Sequence, residues 1–95
     1  MLFRSHYHET ANVKQSVVSN GCVIEGTIEN SIIGRGCVIK KGTVIQNSVV
    51  LPSTYIEEGI HVKNYVVGKH SKLIHCKELI ADPETPGYVK RGDIL

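Results

Sequence analysis

The chain has 95 residues, of which 41% are hydrophobic and 21% charged, and carries a net charge of +2. That length allows one domain, and Lys and Arg are scattered along it, so no electrostatic footprint for nucleic acid is expected. With four Tyr, one Phe and no Trp there is no base-stacking platform, no apolar run reaches membrane-spanning length, and three Cys without close pairing fit a reducing, cytoplasmic setting better than a disulfide scaffold.

Residues 1–12 are expected to form an irregular lead-in. The opening Met1-Leu2-Phe3-Arg4-Ser5-His6 lacks the long apolar stretch of a secretory signal. A phrase then recurs: Gln15-Ser16-Val17-Val18, Asn30-Ser31-Ile32-Ile33, Asn47-Ser48-Val49-Val50 and Asn64-Tyr65-Val66-Val67. The last three begin 17 residues apart and the first precedes the second by 15. A fixed period in that range marks a stacked-repeat architecture, in which one repeat buries its apolar face against the next.

A finer period lies inside each repeat. Aliphatic residues fall at Val13, Val18, Ile24, Ile28, Ile33, Ile39, Ile45, Val50, Ile56, Val62, Val67, Leu73 and Leu79, in steps mostly of six or five. Helices need steps of three and four. Two residues before most of these positions sits a small side chain: Ala11, Ser16, Cys22, Gly26, Ser31, Cys37, Thr43, Ser48, Thr54 and Ser71. Ile60, Tyr65 and Lys77 break that rule. Residues two apart on a strand share a face, so each hexad reads as a short strand plus a corner, with both residues pointing inward. Gly21, Gly36, Gly42 and Gly59 precede a strand at positions where a positive φ is expected.

Three hexads close one triangular coil. Stacked coils then build three walls. The first holds Val18, Ile33, Val50 and Val67; the second Ile24, Ile39, Ile56 and Leu73; the third Val13, Ile28, Ile45, Val62 and Leu79. Burying one such side chain stabilises by about 1.5–3 kcal/mol. The five-residue steps always enter the first wall, so that corner is expected to be tight in every coil. The shortened step at Glu25-Gly26 predicts a sharper corner there. The β-helix is thus expected over residues 13–80, as about four coils. After Leu79 the hexad stops. Ala81-Asp82-Pro83-Glu84-Thr85-Pro86-Gly87 reads as a non-helical exit, and residues 81–95 as an irregular tail over the last coil.

The residue before each rung points outward. On the first wall these are Val17, Ile32, Val49 and Val66, a continuous apolar stripe and hence the expected interface with another chain or domain. The second wall presents Val23, Val38, Tyr55 and Lys72, and the third Thr27, Val44 and His61. No catalytic, cofactor-binding or metal-binding residue is expected. His70 and His75 have an HxxxxH spacing with His61 nearby, but no orienting residues accompany them, so they read as corner or outer-face residues. Cys22 and Cys37 read as small buried hydrophobes. Arg35, Lys40, Lys41, Lys63, Lys69 and Lys72 read as solvated surface, since no Gly-rich phosphate cradle precedes a helix.

The hexad pattern resembles the hexapeptide-repeat family, which implies a left-handed parallel β-helix. Two longer phrases are more specific. Asn20-Gly21-Cys22-Val23-Ile24-Glu25-Gly26-Thr27-Ile28-Glu29-Asn30-Ser31-Ile32-Ile33 and Gly42-Thr43-Val44-Ile45-Gln46-Asn47-Ser48-Val49-Val50-Leu51-Pro52 resemble the C-terminal β-helix of glucose-1-phosphate adenylyltransferase, also called ADP-glucose pyrophosphorylase. The similarity is nearest to its accessory glycogen-biosynthesis subunit. The resemblance implies a parent reaction, ATP plus glucose 1-phosphate giving ADP-glucose and pyrophosphate. It also implies that the β-helix packs on a catalytic domain and on neighbouring subunits and contributes to allosteric control. The family's Gly-rich phosphate loop has no counterpart here, so the expected role is a non-catalytic module. A small hexapeptide-repeat acyltransferase is the alternative, though the chain lacks a loop inserted between Val13 and Leu79. A hexapeptide-repeat carbonic anhydrase would need a third His well upstream of the pair.

Overall fold

A computed structural model describes residues 5–95 and contains, among them, strands and turns but no helix. Fifteen short strands form three parallel sheets of five strands each. The first wall is β3 (Val17–Val18), β6 (Ile32–Ile33), β9 (Val49–Val50), β12 (Tyr65–Val67) and β15 (Gly87–Val89). The second is β1 (His6–Tyr7), β4 (Val23–Ile24), β7 (Val38–Ile39), β10 (Tyr55–Ile56) and β13 (Lys72–Leu73). The third is β2 (Asn12–Lys14), β5 (Thr27–Glu29), β8 (Val44–Gln46), β11 (His61–Lys63) and β14 (Glu78–Ile80). Successive strands in the chain fall in successive walls, so the chain winds as a parallel β-solenoid, consistent with the expected left-handed β-helix. The molecule is a column, 38 Å long and 24 by 22 Å across.

The registers follow the hexad. Ile28 pairs with Val13 and Ile45, and Val62 with Ile45 and Leu79. Ile24, Ile28, Ile33, Ile39, Ile45, Val50, Ile56, Val62, Val67 and Leu73 are all fully buried. The core is therefore a continuous aliphatic rod whose neighbours along the axis are one strand spacing apart, about 4.8 Å. Each rung excludes water from the one above and below it, which is why no single coil could stand alone.

The corners follow backbone stereochemistry. Gly21, Gly36, Gly42 and Gly59 take φ between 67° and 78°, where a Cβ is unfavourable. Ser53 and His70 hold the Gly36 position of later coils at φ 63° and 61°. The tight corner into the first wall uses amides instead of glycine: Gln15, Asn30, Asn47 and Asn64 have φ between 47° and 59°. Asn is the side-chain-bearing residue that best tolerates this left-handed region. The sharper corner at Gly26 has a different cause, because a Cβ there would lie 2.5 Å from the Thr43 carbonyl oxygen.

The ladders reach past residues 13–80 at both ends. His6–Tyr7 pairs with Val23–Ile24 below the expected start. After an exposed turn over 82–86, Gly87–Val89 returns as a fifth rung of the first wall, pairing with Tyr65–Val67. Val89 is buried against that rung, and Ile94 bridges to Lys72 on the second wall. The segment expected as an irregular cover is thus largely a further coil. Two glycines let it dock. A Cβ on Gly68 would collide with the Val89 carbonyl, and one on Gly87 with the Tyr65 ring. Tyr65 breaks the small-residue rule because Gly87 leaves space for its ring.

Candidate functional site

The outward residues of the first wall stand in strict register. Val17 pairs with Ile32, Ile32 with Val49, Val49 with Val66, and Val66 with Tyr88. The four residues expected as an interface therefore form one column, and Tyr88 extends it. Val17 is 62% exposed, Ile32 52% and Tyr88 61%, while Val49 and Val66 are half-buried. Tyr88 lies beyond the last hexad, where the periodicity gives no signal. Large apolar side chains gathered in one exposed column are unusual on a small domain.

The stripe has a rigid base. The Ser16 hydroxyl accepts the Ser31 amide at 3.0 Å, Ser31 accepts the Ser48 amide at 3.1 Å, and Ser48 accepts the Tyr65 amide at 3.1 Å. Each of these hydroxyls also donates to the carbonyl two residues earlier, Lys14, Glu29 or Gln46. Beside them Asn30 Nδ2 donates to Asn47 Oδ1 at 2.8 Å, and Asn64 Nδ2 to the Ala81 carbonyl at 2.8 Å. The recurring Asn-Ser phrase is thus a corner device. Asn accepts the left-handed backbone and Ser ties one coil to the next.

A second column explains the cysteines. Cys22 and Cys37 share their inward position with Thr54 and Ser71, and all four donate to the carbonyl column at the corner leaving the first wall. The acceptors are Gly34 at 3.1 Å, Leu51 at 3.3 Å, Gly68 at 3.1 Å and Lys90 at 3.0 Å. The thiols of Cys22 and Cys37 take the place that the hydroxyls of Thr54 and Ser71 hold in the next two coils. The neighbouring Cys22 side chain and burial hold the Cys37 thiol well above the ordinary range, so it stays protonated. Cys76 is half-buried against the core, and burial pushes its thiol up as well. None of the three is in a disulfide.

The histidines do not converge. Among the described residues no group of three or more His, Cys, Asp or Glu could hold a metal ion. His70 occupies an exposed corner and His75 an exposed turn. His61 lies on the outer face of the third wall, in a polar relay. Gln46 Nε2 donates to Glu29 Oε1 at 2.7 Å, which leaves Gln46 Oε1 as the acceptor for His61 Nε2 at 2.8 Å. The relay orients the ring without bringing a nucleophile or a second base to it.

A groove of about 420 Å³ runs along the corner leaving the first wall, lined by Asn20, Gly21, Arg35, Gly36, Pro52, Ser53 and Lys69. Its two cations come from coils that are not adjacent, with Pro52 between them. Among the other basic residues, Lys40 lies 4.0 Å from Glu25, a surface pair that adds little to stability. Among the described residues no helix is long and apolar enough to cross a membrane.

The sequence profile of the family described as GlmU-like, C-terminal hexapeptide, matches residues 1–86. A glucose-1-phosphate adenylyltransferase of Desulfitobacterium hafniense is 30% identical over 99 aligned positions, covering 100% of this chain and 25% of that protein. A glucose-1-phosphate adenylyltransferase of Bacillus thuringiensis is 33% identical over 76 positions, covering 80% of this chain and 20% of its own length. One of Bacillus cytotoxicus is 33% identical over 60 positions, covering 63% of this chain and 16% of its own. The chain thus spans about a quarter or less of the curated relatives it matches. With three walls of in-register hexads and a family match over nearly all of its length, the chain belongs to the GlmU-like C-terminal hexapeptide family, in the form carried by glucose-1-phosphate adenylyltransferases.

Proposed function

We propose that this chain is a non-catalytic β-helix module of a glucose-1-phosphate adenylyltransferase-like protein of glycogen biosynthesis. The observation that carries the proposal is the exposed apolar column Val17, Ile32, Val49, Val66 and Tyr88 on a scaffold whose whole length matches a quarter of such an enzyme. A rigid prism with one apolar face is suited to holding other parts of a protein in fixed positions. The partner of that face is a nucleotidyltransferase catalytic domain or subunit, with self-association as a second use of the same column. Transmission of an allosteric signal through the prism is part of this reading, since a stiff column couples whatever touches its two ends. Three free thiols suit a cytoplasmic setting. Neither nucleic acid nor a membrane surface is a proposed partner, because the cations are dispersed.

The test uses the chain and the catalytic part of the Desulfitobacterium hafniense relative, lacking its matching C-terminal quarter. The chain alone, given ATP and glucose 1-phosphate, is expected to release no pyrophosphate. Mixed with that catalytic part, it is expected to co-sediment, and Ile32→Asp to abolish the association. Turnover by the chain alone, or co-sedimentation unchanged by Ile32→Asp, would contradict the proposal.

A further inference from the structure

Asn20 and Gly21 form the one Asn-Gly pair in the sequence, and both are exposed at the corner leaving the first wall. Gly21 has φ 77°, and the nearest atom to a Cβ built on it is the Gly36 nitrogen, 3.8 Å away. We infer that Asn20 is a site of spontaneous covalent modification, converting its amide to a carboxylate through a cyclic imide. The Gly21 nitrogen attacks Asn20 Cγ and a new N–C bond forms. The Cγ–Nδ2 bond breaks, and Nδ2 leaves as ammonia carrying the proton from the Gly21 amide. Solvent water then opens the ring at either carbonyl. One opening gives Asp. The other gives isoaspartate, in which the main chain runs through Cγ and gains a methylene. Water is the only co-reactant and no redox step is involved. The absence of a side chain on residue 21 removes the steric barrier to the attack.

The other four Asn are less favoured. Asn12, Asn30, Asn47 and Asn64 precede Val13, Ser31, Ser48 and Tyr65. The Asn30 and Asn47 side chains bond each other, and Asn64 is buried with its amide held by the Ala81 carbonyl. The consequence at residue 20 is local and specific. Asn20 lines the same groove as Arg35, one coil away, and Lys69, three coils away, so the new carboxylate joins a groove that carries two cations and lowers the net charge of +2 by one unit. The Asn20 carbonyl also accepts the Gly36 amide at 3.2 Å, a tie between the first two coils. Isoaspartate lengthens the chain at that tie and loosens the first coil.

The test is to hold the folded chain at mildly alkaline pH and map the mass gain of amide-to-acid conversion by peptide, with enzymatic methylation to score isoaspartate. Conversion is expected at Asn20 before any other Asn. In the isoaspartate fraction, hydrogen exchange at the His6 and His8 amides, which donate to Cys22 and Ile24 at 2.7 Å, is expected to quicken. Asn20→Asp carries the charge without the extra methylene and is expected to leave that exchange unchanged. Earlier conversion of Asn30 or Asn47 would overturn the inference. So would an Asn20 that keeps its amide in the folded chain while the urea-unfolded chain converts.

Discussion

The middle coils and the C-terminal segment occupy the same lattice but reach it by different routes. From Ile24 to Leu73 each rung is delivered by the repeat, and most corners by Gly, Asn, Ser53 or His70 in the left-handed region. The segment after Leu79 leaves the third wall through an exposed turn closed by an Asp82–Thr85 bridge, then rejoins the first wall. Its fit depends on two glycines, Gly68 below and Gly87 within, which leave room for the Val89 carbonyl and the Tyr65 ring. Regular coils are held by repetition, the last coil by shape. A change that tests one should leave the other largely intact.

The largest effect is expected in the middle. Ile45 is fully buried between Ile28 and Val62, so Ile45→Ala leaves a cavity in the rod and should destabilise by about 2–5 kcal/mol in denaturant titrations. That is a large share of a typical domain's stability. A loss well below that range would mean the rod is loosely packed. Gly68→Ala should cost less, about 1–3 kcal/mol from overpacking, and its signature is positional. Trypsin cleavage at Lys90 and Arg91 should quicken while the middle coils stay resistant. Uniform loosening of both regions would remove the distinction between them.

Corner chemistry comes next. Asn47→Ala places an ordinary residue at φ 48° and removes the bond to Asn30, which should cost about 1–2 kcal/mol. Asn47→Gly should recover the backbone share of that loss. Equal losses in the two variants would show that the side-chain ladder dominates. The smallest effect is expected on the outer face. Ile32→Asp should change stability by no more than about 0.5 kcal/mol, and register only as lost association. A strong stability loss would mean Ile32 supports the fold itself.

The walls were legible because burial imposes a period that the chain cannot hide. A side chain like Ile39 either faces the rod or faces water, and each alternative fixes its neighbours. The corner glycines were legible for a similar reason, since few residues tolerate their φ. Gln15 and Asn30 were not read as left-handed, although Asn in that region is a known exception. The serine ladder escaped because hydrogen-bond direction leaves no periodic mark beyond small size. Residues 87–89 escaped for a different reason. Val89 follows Val67 by 22 residues, where Val67 follows Val50, and Val50 follows Ile33, by 17. Only the docked geometry of Gly68 and Gly87 restores the register. In the candidate site, the column from Val17 to Val66 was visible from alternation alone, and Tyr88 was hidden with the rung that carries it.

The central claim is that one continuous prism extends through the C-terminal segment. Residue-resolved hydrogen exchange tests it directly. The Gly68 amide donates to Val89 at 2.7 Å and the Lys72 amide to Asp93 at 2.8 Å, while the Leu51 amide donates to Val67 within the regular coils at 3.0 Å. The prism predicts slow exchange at Leu51, Gly68 and Lys72, against fast exchange at Glu84 in the exposed turn. Gly68 and Lys72 exchanging as fast as Glu84, with Leu51 still protected, would contradict it.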